Sequence, residues 1–320
     1  MAVNETLSTY SDWSYASGLA VYVLAMGAYA AEYAFGRKPE RAEAGQLVGA
    51  GAPVVPEPPR PGVIVEPPRA TVPERAGRIG VLLTGLGAVF HFASLLLRGF
   101  ATGRMPLGNM YEYVSAVALV GVVAWLVLLR RHNIRRLGLF VLLPLVILLF
   151  LAWAVLYAKA APLVPALRSY WIVIHVSVIV IGSGLLILPG VTSMLYLVRK
   201  AHDANPARFA RVATKLPEAD TLDRISYRVT VFAFPLLTFG IIAGAIWAES
   251  AWGRYWGWDP KETVAFVSWV VYAAYLHARA TAGWRGKPAA WINIFGWATV
   301  VFNLFFINMV VAGLHSYAGV

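Results

Sequence analysis

The sequence predicts an all-α polytopic membrane protein with about eight membrane-crossing helices. Both termini and one tryptophan-rich loop are expected on the outer, extracytoplasmic side. Three observations carry this reading. Of 320 residues, 59% are hydrophobic and only 13% are charged, against about 25% charged in an ordinary soluble domain. A soluble globular enzyme and an intrinsically disordered chain are both excluded. The apolar residues come in runs of roughly 20, the length that takes a helix across about 30 Å of hydrocarbon at 1.5 Å per residue. Finally, 21 of the 27 Lys and Arg residues fall in one alternate set of loops and six in the other, which is the positive-inside pattern.

Taken in order, the first span, 14–35, has no basic stretch before it and no A-x-A-like cleavage site. It reads as a retained helix rather than a signal peptide. Residues 36–75 contain PVVPEPPRPG and EPPRATVPE. That proline density forbids helix and cannot bury a core, so a disordered or polyproline-like cytoplasmic linker is expected. Spans follow at 77–98, 111–129, 137–157, 171–198, 229–248, 263–281 and 291–312, giving a seven-helix membrane domain over 76–320 with no internal repeat. The inner loops hold the whole formal excess of +11, so the basic balance is a topology signal and gives no support to nucleic-acid binding. The chain has no cysteine. It carries no disulfide, CxxC redox pair, iron–sulfur cluster or covalently attached haem of its own.

The loop between the sixth and seventh spans reads Ala251-Trp252-Gly253-Arg254-Tyr255-Trp256-Gly257-Trp258-Asp259-Pro260-Lys261-Glu262-Thr263. An aromatic belt at the headgroup level accounts for any single Trp here. It does not account for three tryptophans and a tyrosine in one short loop, with glycines that let backbone approach closely. A flat aromatic surface half in lipid suits a planar, hydrophobic ligand with polar edges, such as a porphyrin. Asp259, Pro260 and Glu262 stand at the N-cap, first helical and N3 positions of the next span, a capping-box pattern. Capping is favoured over catalysis for both acids, and it would hold the loop rigidly against the helix.

Six histidines remain. His132 and His202 lie in basic inner loops and read as solvated. His175, just after Ser169-Tyr170-Trp171, and His315, in Gly313-Leu314-His315-Ser316-Tyr317, both fall near the outer surface. Two imidazoles at one depth beside an aromatic loop are what six-coordinate haem iron requires. No partner carboxylate is placed for His315 by the sequence, so His315-Ser316 is not read as half of a nucleophilic pair. His91 and His277 lie inside spans, where ionisable residues are expensive. His277 sits about one turn, roughly 6 Å, from the inner boundary, and His91 roughly 20 Å from it. The two depths differ too much to share one iron, so His277 is expected to bind a second, membrane-embedded haem with a ligand from another polypeptide. His91 is the alternative.

These residues closely resemble a known family. Leu222-Asp223-Arg224-Ile225-Ser226-Tyr227, Trp252 through Thr263, Tyr275-Leu276-His277-Ala278-Arg279 and Gly313–Tyr317 are similar to the CcsA/ResC proteins of system II cytochrome c maturation, called CcsB in some bacteria. Met105-Pro106-Leu107-Gly108-Asn109-Met110-Tyr111-Glu112 and Ile174-His175-Val176 look like further segments of that family. The likeness runs from about residue 77 onward and leaves out the proline-rich linker. The WGxxWxWDPKET form separates it from the CcmC and CcmF proteins of system I.

The resemblance implies that Trp252, Tyr255, Trp256, Trp258 and Asp259 belong to a WWD haem-binding segment. It likewise makes His175 and His315 the outer axial ligands of haem b and His277 the transmembrane one. The implied activity is holocytochrome c synthase (cytochrome c haem lyase), joining haem to the thiols of a CxxCH apocytochrome c in a bacterial cytoplasmic membrane. A separately encoded ResB-type subunit is the implied partner, with thiol reduction left to a thioredoxin-like pathway. A haem exporter or a non-catalytic scaffold are the alternatives. Whether Asn109, Tyr111 and Glu112 meet haem or only pack stays open.

Overall fold

A computed structural model describes residues 3–36, 71–163, 169–281, 283–311 and 313–315. Helices α1 (Glu5–Phe35), α2 (Val72–Thr102), α3 (Met110–Arg131), α4 (Gly138–Ala154) and α5 (Tyr170–Ala204) are followed by a single turn, α6 (Ala210–Ala213). The chain continues through α7 (Ala219–Trp252), α8 (Pro260–Ala280) and α9 (Lys287–Phe302). No strand occurs among the described residues. Seven of the eight long helices are long and apolar enough to cross a membrane. The exception is α8, in which Lys261, Glu262, Ser268, Tyr272, Tyr275, His277 and Arg279 dilute the apolar content. The protein is a polytopic helical membrane protein.

Several boundaries differ from the sequence expectation. The linker expected over 36–75 lies outside the described residues for 37–70, and its last residues are helical: α2 begins at Val72. Thr71 and Glu74 form a capping box there, with the Thr71 amide donating to Glu74 at 2.9 Å, and Pro73 falls in the first turn, where it needs no donor. The pattern is the same as at Asp259, but here the prolines before it mask the signal in the sequence. The last span is not one continuous helix. After α9 a π turn covers Asn303–Ile307, and Asn308 Nδ2 donates to the carbonyls of Asn303 (3.1 Å) and Leu304 (2.7 Å) that this widening exposes. π turns inside α-helices frequently mark functional positions.

The long helices alternate in direction and pack as hairpins, α1 along α2, α5 along α7 and α8 along α9, with α3 and α4 between the first two pairs. Tyr15, Tyr22 and Tyr29, seven residues apart on α1, are buried against α2. A methyl group on Gly87 would stand 2.6 Å from the Tyr22 ring, so that close approach requires glycine. Asn4 N–H donates to Ala101 C=O at 2.9 Å and the Tyr157 hydroxyl to Asp12 at 2.8 Å. These bonds bring the starts of α1 and α3 and the ends of α2 and α4 to one end of the bundle. Hydrogen bonds between Asp259 and the 313–315 segment bring the 252–263 loop and the chain's last described residues together as well.

At the opposite end, several charges that the sequence presents only as topology signals are engaged. Arg135 pairs with Glu32, and Arg279 with Asp223 at 2.6 Å. Lys215 donates to the carbonyls of Tyr33 and Ala34.

Candidate functional site

A cavity of about 450 Å³ lies between α3, α4, α5, α7, α8 and the π turn, within the range of small-molecule sites. Its wall is mostly apolar, and it brings His175, His315, Trp247, Trp252, Tyr255 and Trp256 together. His175 is held on α5 by a 2.7 Å bond from its Nδ1 to the Gly240 carbonyl of α7. A carbonyl only accepts, so Nδ1 carries the proton and Nε2 the lone pair. The ring stacks on Trp247 at 6.2 Å with an 8° interplanar angle. It can lie there because α7 has Gly244 beneath it, where a Cβ would stand 2.6 Å from the ring.

His315 reaches the same cavity from beyond α9. Its Nδ1 lies 3.1 Å from Asp259 Oδ2, and its ring meets Trp252 edge-on at 5.0 Å. The expectation that no carboxylate accompanies His315 is therefore corrected, because the chain brings in Asp259 from 56 positions away. Burial drives the His315 imidazole down to about 4, with Lys261 adding to the effect and Asp259 opposing it. The ring is neutral at physiological pH. Burial alone would raise the Asp259 carboxyl, but the amides of Leu314 and Lys261, with His315, outweigh it and hold the group below its ordinary range. A carboxylate that fixes the tautomer of a histidine is the arrangement found behind metal-ligating imidazoles.

The capping box at Asp259 forms as read. Asp259 accepts from the Lys261 amide at 3.1 Å, and Glu262 accepts from the amides of Asp259 (3.1 Å) and Gly257 (2.9 Å). Asp259 thus serves helix and histidine at once. The aromatic residues do not form one platform. Trp252, Tyr255 and Trp256 line the cavity, whereas Trp258, with φ of +56°, lies 64% exposed outside it. Trp258 packs edge-on against Phe266 at 6.1 Å. Strict alternation would place Trp258 on the side of Trp256; the positive φ at Trp258 breaks that pattern and turns its ring away from the site.

The other sequence candidates separate from the cavity. His91 is buried between α1, α2 and α3, its Nε2 2.9 Å from the Ser115 hydroxyl and its Nδ1 3.4 Å from that of Tyr22. Both ring nitrogens are taken, which leaves it unsuited to be the second ligand for an iron at His277. His277 lies in the last turn of α8 with its side chain exposed. His202 donates to the Arg208 carbonyl at 2.9 Å, and His132 caps α3.

Asn109 caps α3 by accepting from the Glu112 amide. Tyr111 packs on Tyr15 and under Arg98. Glu112 is wholly buried, 2.7 Å from both Arg98 and Arg104. None of the three lines the cavity; Tyr113 does. Residues that the sequence reading passed over are Trp247, Gly244, Lys261, Asn303 and Asn308. The two asparagines carried a usable signal, since amides inside an apolar span are costly unless bonded.

Two oriented histidines and four tryptophans thus face one cavity of a polytopic helical membrane protein. The Cytochrome C assembly protein family model matches residues 107–315, and the chain belongs to that family. It is 40% identical over 258 residues to the cytochrome c biogenesis protein CcsA of Guillardia theta, covering 75% of this chain and 85% of that one. To the protein of the same name from Synechococcus sp. (strain CC9605) it is 34% identical over 266 residues, covering 76% and 87%. Among solved structures it resembles a cytochrome c haem lyase, CcmF, with a TM-score of 0.63 at 17% identity. That match covers 95% of this chain and 47% of the other, so the chain spans about half its length. At such identity the likeness concerns the fold.

Proposed function

We infer that this protein acts in cytochrome c biogenesis, holding haem b as substrate in the cavity and presenting it at the outer membrane face for attachment to a CxxCH apocytochrome c. One observation carries the reading: His175 and His315, both with Nδ1 directed at an oxygen, stand on a single tryptophan-walled cavity. Six-coordinate haem needs two such Nε2 donors, and the apolar wall suits a porphyrin face. The positive-inside pattern supports an outward loop, and a bacterial cytoplasmic membrane is the location proposed with it.

Attachment adds a thiol S–H across each vinyl C=C, so atoms balance without an oxidant. The chain contributes position: His175 and His315 hold the metal centre, Asp259 orients His315, and Trp252 and Trp256 exclude water from the porphyrin face. Orientation of this kind is worth about 7–11 kcal/mol of barrier. His277, exposed in the last turn of α8, is free to ligate a second haem shared with a ResB-type subunit. Thiol reduction falls to a thioredoxin-like pathway.

The complex with its partner should show low-spin haem absorption and attach haem to a CxxCH peptide. His175→Ala and His315→Ala should each lose attachment, with partial rescue by added imidazole. Unchanged attachment in both variants would remove the ligand assignment. Haem movement without attachment would favour an exporter, and absence of a Soret band a scaffold.

A further inference from the structure

Lys261 follows the N-cap of α8 by two positions and sends its side chain into the cavity. Its Nζ donates to Asn308 Oδ1 at 2.5 Å and stands 6.0 Å from the Tyr113 ring centroid. Among the described residues no carboxylate lies within ion-pair distance of it. The two nearest candidates in sequence are committed elsewhere. Asp259 accepts from His315 and from the amides of Leu314 and Lys261 itself, and Glu262 accepts from two loop amides and faces Arg254. Asn303, on the same wall, has its Oδ1 buried without a hydrogen-bond partner. An ammonium in a mostly apolar cavity is costly unless an anion meets it. Among the described residues no carboxylate is close enough to form an ion pair with it.

We propose that Lys261, with Asn308, anchors the carboxylate edge of the porphyrin and so decides which edge of the ligand enters the cavity. The proposal rests on the haem reading above and adds an orientation to it. In protoporphyrin the two propionates leave one edge and the vinyl groups lie on the far side of the ring. Lys261 is enclosed by Asn308, Tyr113 and the wall of the cavity, while Tyr255 on the same cavity is 61% exposed. With the propionates drawn to Lys261, the vinyl edge points toward the open Tyr255 side, where incoming thiols can reach it. Lys261 is thus a positioning residue.

The test compares haem with its dimethyl ester, which keeps iron, ring and vinyls but removes the carboxylate charge. Both are titrated into the purified complex while the Soret band is followed. The wild type should bind the free acid about ten- to hundredfold more tightly, the range of one charge-assisted hydrogen bond. Lys261→Gln should erase that preference by weakening the free acid alone, with the ester's low-spin spectrum unchanged, and Lys261→Arg should retain it. Equal binding of both ligands by the wild type would overturn the proposal, as would equal weakening of both in Lys261→Gln. Should Lys261→Gln not fold, the wild-type comparison decides alone. No Soret change with either ligand would instead defeat the haem reading itself, and this proposal with it.

Discussion

Two buried polar clusters lie at the same end of the bundle, and they are built to opposite ends. Around Glu112 the charges answer one another: Arg98 and Arg104 each lie 2.7 Å from it, and Arg98 also stands 3.7 Å from Asp12. Further bonds run from Arg98 to the Ala158 carbonyl and from the Gly108 amide to Glu112. Arg98 Nη1 and Asp12 Oδ1 make no hydrogen bond, but they face each other as an ion pair, so the two cations and two carboxylates there balance among themselves. Around Lys261, among the described residues, the cation has no carboxylate within ion-pair distance, the Asn303 carbonyl lacks a donor, and a cavity of about 450 Å³ holds both beside two oriented imidazoles. Both clusters fall in segments that resemble the same family, so resemblance does not separate them. Whether the charges close on themselves does.

That contrast can be broken most sharply at Glu112. Glu112→Ala should cost about 3–5 kcal/mol, because it leaves Arg104 without a carboxylate and Arg98 with only Asp12 at 3.7 Å. Thermal unfolding of the detergent-solubilised complex measures this. The fraction that remains folded should bind haem as the wild type does, and a specific loss of haem affinity without loss of stability would place Glu112 in the site after all.

Gly244→Ala should act the other way. The added methyl would meet the His175 ring at 2.6 Å, so haem ligation should weaken while the melting temperature shifts little, overpacking costing about 1–3 kcal/mol. An unaltered low-spin spectrum would show that the ring need not lie against α7.

The smallest effect is that of pH on His315. Burial depresses its imidazole from 6.5 to about 4, so between those values the unfolded chain binds a proton that the folded one refuses. The stabilisation is whole above pH 6.5 and is lost as pH falls toward 4, Asp259 remaining ionised throughout that window. Ligation should therefore persist to about pH 4 in the Soret spectrum. Loss near 6.5 would mean that His315 is solvated and its pairing with Asp259 is not formed.

Much of the frame was legible in one dimension. Hydropathy and length give the long helices, and the capping box at Asp259 forms as its spacing predicts. The same signature at Thr71 and Glu74 is masked in the sequence by the surrounding prolines, although proline is tolerated in a first turn. The site was half legible. His175 and His315 do share a cavity with three members of the aromatic loop, but Trp258 leaves it through a left-handed backbone conformation. The π turn that brings Asn308 to Lys261 has no signal in apolar periodicity, since it inserts a residue into a helix whose composition is unchanged.

By itself the sequence determined that the chain lives in a membrane and roughly where its long helices lie, although α1 and α7 begin nine and ten residues before the spans expected for them, and it singled out the side chains that are candidates to hold a ligand. Those properties are local, set by runs of apolar side chains and by capping groups three residues apart. Only the tertiary structure decided which polar groups are satisfied. Pairing His315 with Asp259, His175 with Gly240, Arg98 with Glu112 and Lys261 with Asn308 depends on how helices rotate against one another. A rotation of one helix by half a turn would exchange the lining of the cavity for lipid-facing side chains without changing a residue.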